Sequence, residues 1–313
     1  MRLFNREGNG VEELVGAIGL IGHGISFDKW EPLLPLGIRD VSAIIGREPV
    51  EKLSEFYEGG CKPDDKDFPV STTIPLGYLQ QAVAYFTWLK IIPTLDAGHD
   101  SNGRSKRLGE NEKGMTALQE FKDEENIRRL AYEYVDALVE ALDRGCFEWW
   151  TKSHRYKLRE GLIVRDKETF DMYYHTGSHR LFITLLPIMR EVQQVDVAPI
   201  LGDYLGKLLA NEKEVEKLRD TASRALVLLT MKKAIERLPV EVIPEGIVQV
   251  QQSQPIKQRL KAEKEARQAV SASLADDARK QLEKLSSMID EMEGGDLDGS
   301  IMGPIVHSKG LSY

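Results

Sequence analysis

The sequence predicts a mainly α fold: two duplicated helical modules, each ending in a small β-hairpin, with a long connecting helix and a long C-terminal helix. Three observations predict it. First, one pattern occurs twice. Trp30, Leu33-Leu34-Pro35, Arg39-Asp40 and Ile45-Gly46 are echoed by Phe182, Leu185-Leu186-Pro187, Arg190-Glu191 and Leu201-Gly202. Second, each copy is followed by a long apolar helix expected to stop at a proline, Pro93 or Pro239, because proline removes an amide donor and clashes with the preceding turn. Third, apolar residues recur at three- and four-residue steps through most of the chain, the signature of amphipathic helices. Leu-Leu-Pro alone is unspecific. The shared order and similar spacing carry the argument for duplication against chance likeness between two helical regions.

Residues 1–25 read as an N-terminal arm, with a short amphipathic helix over Val11–Leu20 loosened afterwards by glycines. The first module spans 26–108. Ser26 is placed to cap a helix at Phe27, which Pro32 and Pro35 break. A helix over Leu36–Ile45 ends at Gly46, and Val50–Tyr57 follows Pro49 and stops at Gly59-Gly60. After a polar loop, Pro75–Ile92 is apolar over most of its girth and is therefore expected to be buried. Beyond Pro93, two short extended segments flank a glycine-containing turn.

Residues 109–160 form the connecting helices. Leu118, Phe121, Leu130, Tyr134, Leu138 and Leu142 mark one face of a helix over Met115–Leu142. Trp149 and Trp150 begin the next helix and are assigned to the core rather than to an interface. The second module, 161–252, contains helices at Asp166–Phe170, His179–Val192, Val197–Leu209 and Glu212–Leu238. It closes with a hairpin of Val240–Ile243 and Ile247–Val250. Residues 253–313 form a charged helix to about Met292, ended by Gly294-Gly295, and an extended tail.

The net charge of −8 argues against a protein that coats duplex DNA, which needs clustered Lys and Arg. Two cysteines give no disulfide framework and suit a reducing cytosol. The first residues lack the apolar core of a signal peptide, and no apolar run is long enough for a membrane span. His175 and His179 have helical ligand spacing, but Gly177 lies between them and the Glu of the metalloprotease motif is missing. They read as one turn histidine and one at a helix start. Asp96–Gly103 departs from the calcium-loop pattern and reads as a polar turn. Cys146 reads as a packed thiol. The sequence shows no nucleophile elbow, kinase set or dinucleotide fingerprint. The expectation is a non-enzyme with no catalytic, cofactor or metal residues.

Two features fit interaction. Arg104, Lys106 and Arg107 cluster on the first turn, where they could meet nucleic acid or an acidic neighbour, or be the solvated edge of a hairpin. Leu274, Leu282, Leu285, Ile289 and Met292 make a narrow stripe on the C-terminal helix, for a partner or for the chain's own body. The run Glu110–Phe121, together with Leu185-Leu186-Pro187 and Arg190-Glu191, resembles an uncharacterised family of Bacteroidetes phage and prophage virion structural proteins.

That resemblance implies a structural subunit of the head-tail region, most economically a neck connector or adaptor forming a ring between portal and tail. It implies further copies of the same chain, portal and tail proteins, and DNA in the channel as partners, with residues 254–313 needed for docking. The place it implies is the virion, assembled in the host cytoplasm, with no membrane partner. A non-virion helical assembly protein, and an enzyme with a site built from scattered polar residues, are the alternatives.

Overall fold

A computed structural model describes residues 1–5, 10–19, 25–63, 69–100, 103–106, 116–238 and 256–297. It divides the chain into two compact units. Unit 1 holds Met1–Glu160 and Thr176–Leu186; unit 2 holds Gly161–His175 and Pro187–Tyr313.

Unit 1 contains α1 (Gly10–Ile18), α2 (Phe27–Trp30), α3 (Leu34–Ile45), α4 (Arg47–Glu58) and α5 (Val70–Asp96). A ladder of β1 (Ala97–Asp100) and β2 (Gly103–Lys106) follows, then α6 (Ala117–Gly145), α7 (Glu148–Thr151) and α8 (His154–Lys157). Its spine is α5 packed against α6. Ser71, Ile74 and Tyr78 of α5 lie beside Ala137, Ala141 and Arg144 of α6, so the two helices run antiparallel. Leu76, Leu79, Val83 and Ile91 from α5 meet Ile127, Ala131, Val135, Leu138 and Leu142 from α6 in one buried cluster. Burying side chains of this size contributes roughly 1.5–3 kcal/mol each.

Residues expected as an arm belong to this core. Leu3, Phe4, Leu14 and Ile18 are buried. Gln80 donates to the Leu3 carbonyl, Arg2 N donates to Ser54 Oγ at 2.8 Å, and Tyr57 donates to Glu13 at 2.7 Å. Trp150 is buried too, while Trp149 is half-buried and stacks on Phe147 at 4.8 Å between ring centroids.

Unit 2 contains α9 (Lys167–Asp171) and the part of α10 (His179–Val192) from Pro187 onward. A π-helical turn (Gln193–Val197), α11 (Ala198–Leu201), α12 (Tyr204–Leu209), a 3-10 turn (Lys213–Val215), α13 (Glu216–Arg237) and α14 (Ile256–Leu297) complete it. Its spine repeats the plan of unit 1. Arg267 donates to the Ile235 and Leu238 carbonyls, Ser271 to Glu236, and Thr221 reaches Met288, so α13 and α14 are also antiparallel.

The expectation of two modules each closed by a small hairpin is overturned. The chain is mainly helical, and each unit is organised by a pair of long helices. α5 does not stop at Pro93 but runs on to Asp96. The proline removes the one amide donor that would meet the Leu89 carbonyl, and, one residue on, Thr94 Oγ1 donates to the Ile91 carbonyl at 2.7 Å. The β1–β2 ladder is four residues a side, too small to organise a module. Residues 240–250, expected as the second hairpin, lie outside the described residues. α14 likewise passes the predicted Gly294-Gly295 stop and ends at Leu297.

Candidate functional site

The densest polar cluster among the described residues lies in unit 1, where α6 meets Thr176–Leu186. Asp136 and Asp143 are two turns apart and therefore share a face of α6. Asp136 Oδ1 accepts from Ser178 Oγ at 2.8 Å and from the Arg180 amide at 2.6 Å. Asp143 accepts from Trp150 Nε1 at 2.7 Å and from Arg159 at 2.9 Å. His179 Nδ1 stands 3.9 Å from Asp143, outside hydrogen-bond reach. The Arg180 guanidinium lies 4.1 Å from the centroid of the Tyr132 ring, and that of Arg159 lies 4.6 Å from Tyr156.

The two carboxyls are pushed in opposite directions. Burial raises the Asp136 carboxyl above its ordinary value, and the opposing pull of the Arg180 amide and Ser178 is too small to reverse it. Burial also pushes Asp143 upward, but His179, Arg159 and Trp150 outweigh it and hold that carboxyl low. Opposed carboxyls can mark an acid–base pair. Here both are spent on ties between helices, and neither lines the two clefts described below.

A second charged cluster lies in unit 2. Glu191 accepts from Arg237 through both carboxylate oxygens and from Lys233 at 3.3 Å, and Lys233 also reaches Asp196 at 2.9 Å. Arg237 and Lys233 hold the Glu191 carboxyl down at about 2. The matching acid of the first copy, Asp40, pairs with Lys90 of α5 at 2.5 Å. In each unit the acid of the repeated pattern thus ties an early helix to the last turns of the first spine helix. The residues of α10 from Pro187 onward belong to unit 2, much as α3 begins at Leu34-Pro35.

Two clefts open on either side of the first turns of α5. A larger one of about 550 Å³ is bordered by Glu13, Lys62, Thr73, Ile74, Tyr78 and Gln81. A smaller one of about 320 Å³ lies between α5 and α6, bordered by Ile74, Pro75, Tyr78, Ala137, Ala141 and Arg144. Leu118 and Phe121, expected in the buried face of α6, are 63 % and 51 % exposed. The buried face of that helix begins at Ile127.

Of the residues singled out from sequence, Arg104 and Lys106 sit on β2, opposite His99 and Ala97, and Arg107 lies outside the described residues. Leu274, Leu285 and Ile289 are buried within unit 2, whereas Leu282 and Met292 are half-exposed. His175 and His179 each approach a different aspartate, Asp171 and Asp143. Among the described residues, no group of three His, Cys, Asp or Glu could hold a metal, and no helix is long and apolar enough to cross a membrane. Cys146 is exposed rather than packed, because it caps α6 in the left-handed region at φ 45°. Sequence reasoning missed the Asp136–Asp143 cluster. Its signal was two acids, two turns apart, set among the apolar positions of α6.

A profile of a family of unknown function (DUF6712) matches residues 54–160 and 189–292, together more than half of the chain. The first stretch lies in unit 1 and the second in unit 2, each containing one antiparallel spine pair, which is consistent with internal duplication. No curated protein and no solved structure matches the chain.

Proposed function

We propose that this chain, which belongs to that family of unknown function, is a structural subunit that assembles with copies of itself, and that its setting is the neck of a tailed-phage particle, as a connector ring between portal and tail. The self-assembly is carried by exposed apolar surface, beside polar chemistry that is spent inside each unit. Asp136, Asp143, Asp40 and Glu191 all tie helix to helix, as suits a load-transmitting scaffold. An exposed apolar pair, Leu118 and Phe121, remains on the outside of the spine of unit 1. Exposed large apolar residues beside one another favour association. The phage setting is supported by the resemblance carried by Leu185-Leu186-Pro187 and Arg190-Glu191.

Native mass spectrometry and sedimentation of the purified full chain test the reading, alongside proteomics of phage particles that encode it. A discrete higher oligomer that binds portal or tail proteins, and its presence in particles, is the expected result. A monomer at every concentration, indifferent to portal and tail proteins and absent from particles, overturns it.

A further inference from the structure

We infer that copies of this chain join by exchange: Thr176–Leu186 of one copy fills unit 1 of the next. This rests on the self-assembly reading above and names its interface. Thr176–Leu186 is a plug. It belongs to unit 1 but is flanked on both sides by residues of unit 2. Leu181, Phe182 and Ile183 are buried. Ile183 joins the core cluster of unit 1, and the Arg159 guanidinium lies 5.5 Å from the centroid of the Phe182 ring. Asp136 fixes the polar end by accepting from Ser178 Oγ and the Arg180 amide, and Ser178 Oγ in turn accepts from the Leu181 amide at 3.0 Å. The seat is thus matched to one segment, and every copy of the chain carries that segment.

The topology leaves a single covalent crossing to redirect. Residues 1–160 lie in unit 1, and the chain reaches everything after them through Glu160–Gly161. Both sides of that link are pinned. Arg159 is buried and paired with Asp143 in unit 1 at 2.9 Å. In unit 2 the Gly161 carbonyl accepts from Gln193 at 2.6 Å, and the Ile163 amide donates to the same side chain at 2.8 Å. Gly161 has φ 74° and nothing within 4 Å of where a Cβ would stand, so the link turns without a collision. α10 carries the plug onward as one helix, from His179 to Val192. A second copy's plug therefore remakes every contact of the seat, while only the Glu160–Gly161 link takes a new path.

Two opposing effects set the balance. Exchange trades identical contacts, so it sacrifices no buried area. A copy's own plug has the advantage of proximity, an effective concentration on the order of millimolar for a short flexible link. A two-residue link held at both ends works against that advantage, because short constrained hinges favour exchange. The contact is heterologous. Each copy gives a plug on one side and a seat on the other, and the series closes into a ring when the rotation between copies allows.

Cross-linking between full-length chains tests the exchange. Cys146→Ser removes the exposed native thiol, and Cys61 is buried. In that background one chain carries Asp136→Cys in the seat and another carries Ser178→Cys in the plug. Refolded together from urea and treated with a short bis-methanethiosulfonate, they should give a covalent one-to-one dimer at least tenfold above the dimers of either chain alone. A chain carrying both thiols should give a ladder of multimers. If that chain links only within itself and the mixture gives no cross-chain dimer, the exchange is overturned. Deleting Glu160 shortens the pinned link and reads the same point without thiols. Sedimentation should show assembly tightened at least tenfold, and an unchanged profile overturns the exchange. If the unaltered chain assembles while both tests come out negative, this interface fails and self-assembly stands. If the unaltered chain is monomeric at every concentration, self-assembly itself fails and the exchange with it.

Discussion

Asp143 is where two donors of unit 1, Trp150 and Arg159, converge, and it shows how one acid can hold a helical joint. Arg159 is buried beside it and Trp150 gives it a hydrogen bond. Removing one partner of a buried ion pair leaves the other uncompensated, at a cost of about 3–5 kcal/mol. Asp143→Asn should therefore lose about 3 kcal/mol in urea unfolding. Asp136→Asn keeps an acceptor for Ser178 and the Arg180 amide while removing a charge that burial disfavours, so it should be near neutral or stabilising. The pH dependence follows from the directions. Asp143 is lowered, so its contribution is present above the ordinary 3.8 and is lost as pH falls through the lowered value. Asp136 is raised, so its contribution is present below 3.8 and is lost as pH rises through the raised value. Asp143→Asn should blunt the acid loss of stability, and Asp136→Asn the loss on its rising side; thermal melts across pH check both. At this scale the sequence was only partly legible. Acids adjoining Val135 and Leu142 look solvated until the segment that covers them is known, and that segment lies more than thirty residues on.

Between elements, the closest approach is where α3 crosses α5. A methyl group added at Gly37 would come within 2.2 Å of Thr87 Oγ1 and 2.8 Å of the Val83 carbonyl oxygen. Gly37→Ala should therefore destabilise the protein by about 1–3 kcal/mol through overpacking. Thr87→Ala in the same chain should recover part of that loss, because only the side-chain obstacle is removed; a double-mutant cycle in urea reads the coupling. Where local chemistry decides, element ends were legible. Gly46 ends α3 at φ 93°, as expected, while the reciprocal cap of Thr116 and Gln119 starts α6 at Ala117 rather than at the expected Met115. Where tertiary packing decides, they were not. α5 continues over Pro93, and the apolar period of α6 starts at Leu118 although its burial starts at Ile127. Periodicity reports which residues could be buried, and the length of the neighbouring helix decides which are.

For the molecule as a whole, the two spine pairs and the two family matches are consistent with the duplication expected from sequence. Asp40 and Glu191 are the acids of the repeated pattern, and both are tied to basic residues late in the first spine helix. The expected hairpin-closed modules are overturned because, among the described residues, the apolar surface of each unit is satisfied by helix on helix. α14 shows the same logic. Its stripe looked equally fit for a partner, and Leu274, Leu285 and Ile289 are consumed inside unit 2.

Unit 1 takes its last piece, Thr176–Leu186, from beyond Gly161–His175 of unit 2. That interleaving sets an order of biogenesis. A ribosome that has released residues up to Glu160 has delivered both spine helices but neither Ser178 nor Arg180, so Asp136 waits unsatisfied and the places of Leu181 and Phe182 stand empty. A fragment ending at Glu160 should melt without a cooperative transition, and one ending at Leu186 should regain it in calorimetry. During synthesis, the first half of the protein can finish folding only after the second half has begun to emerge.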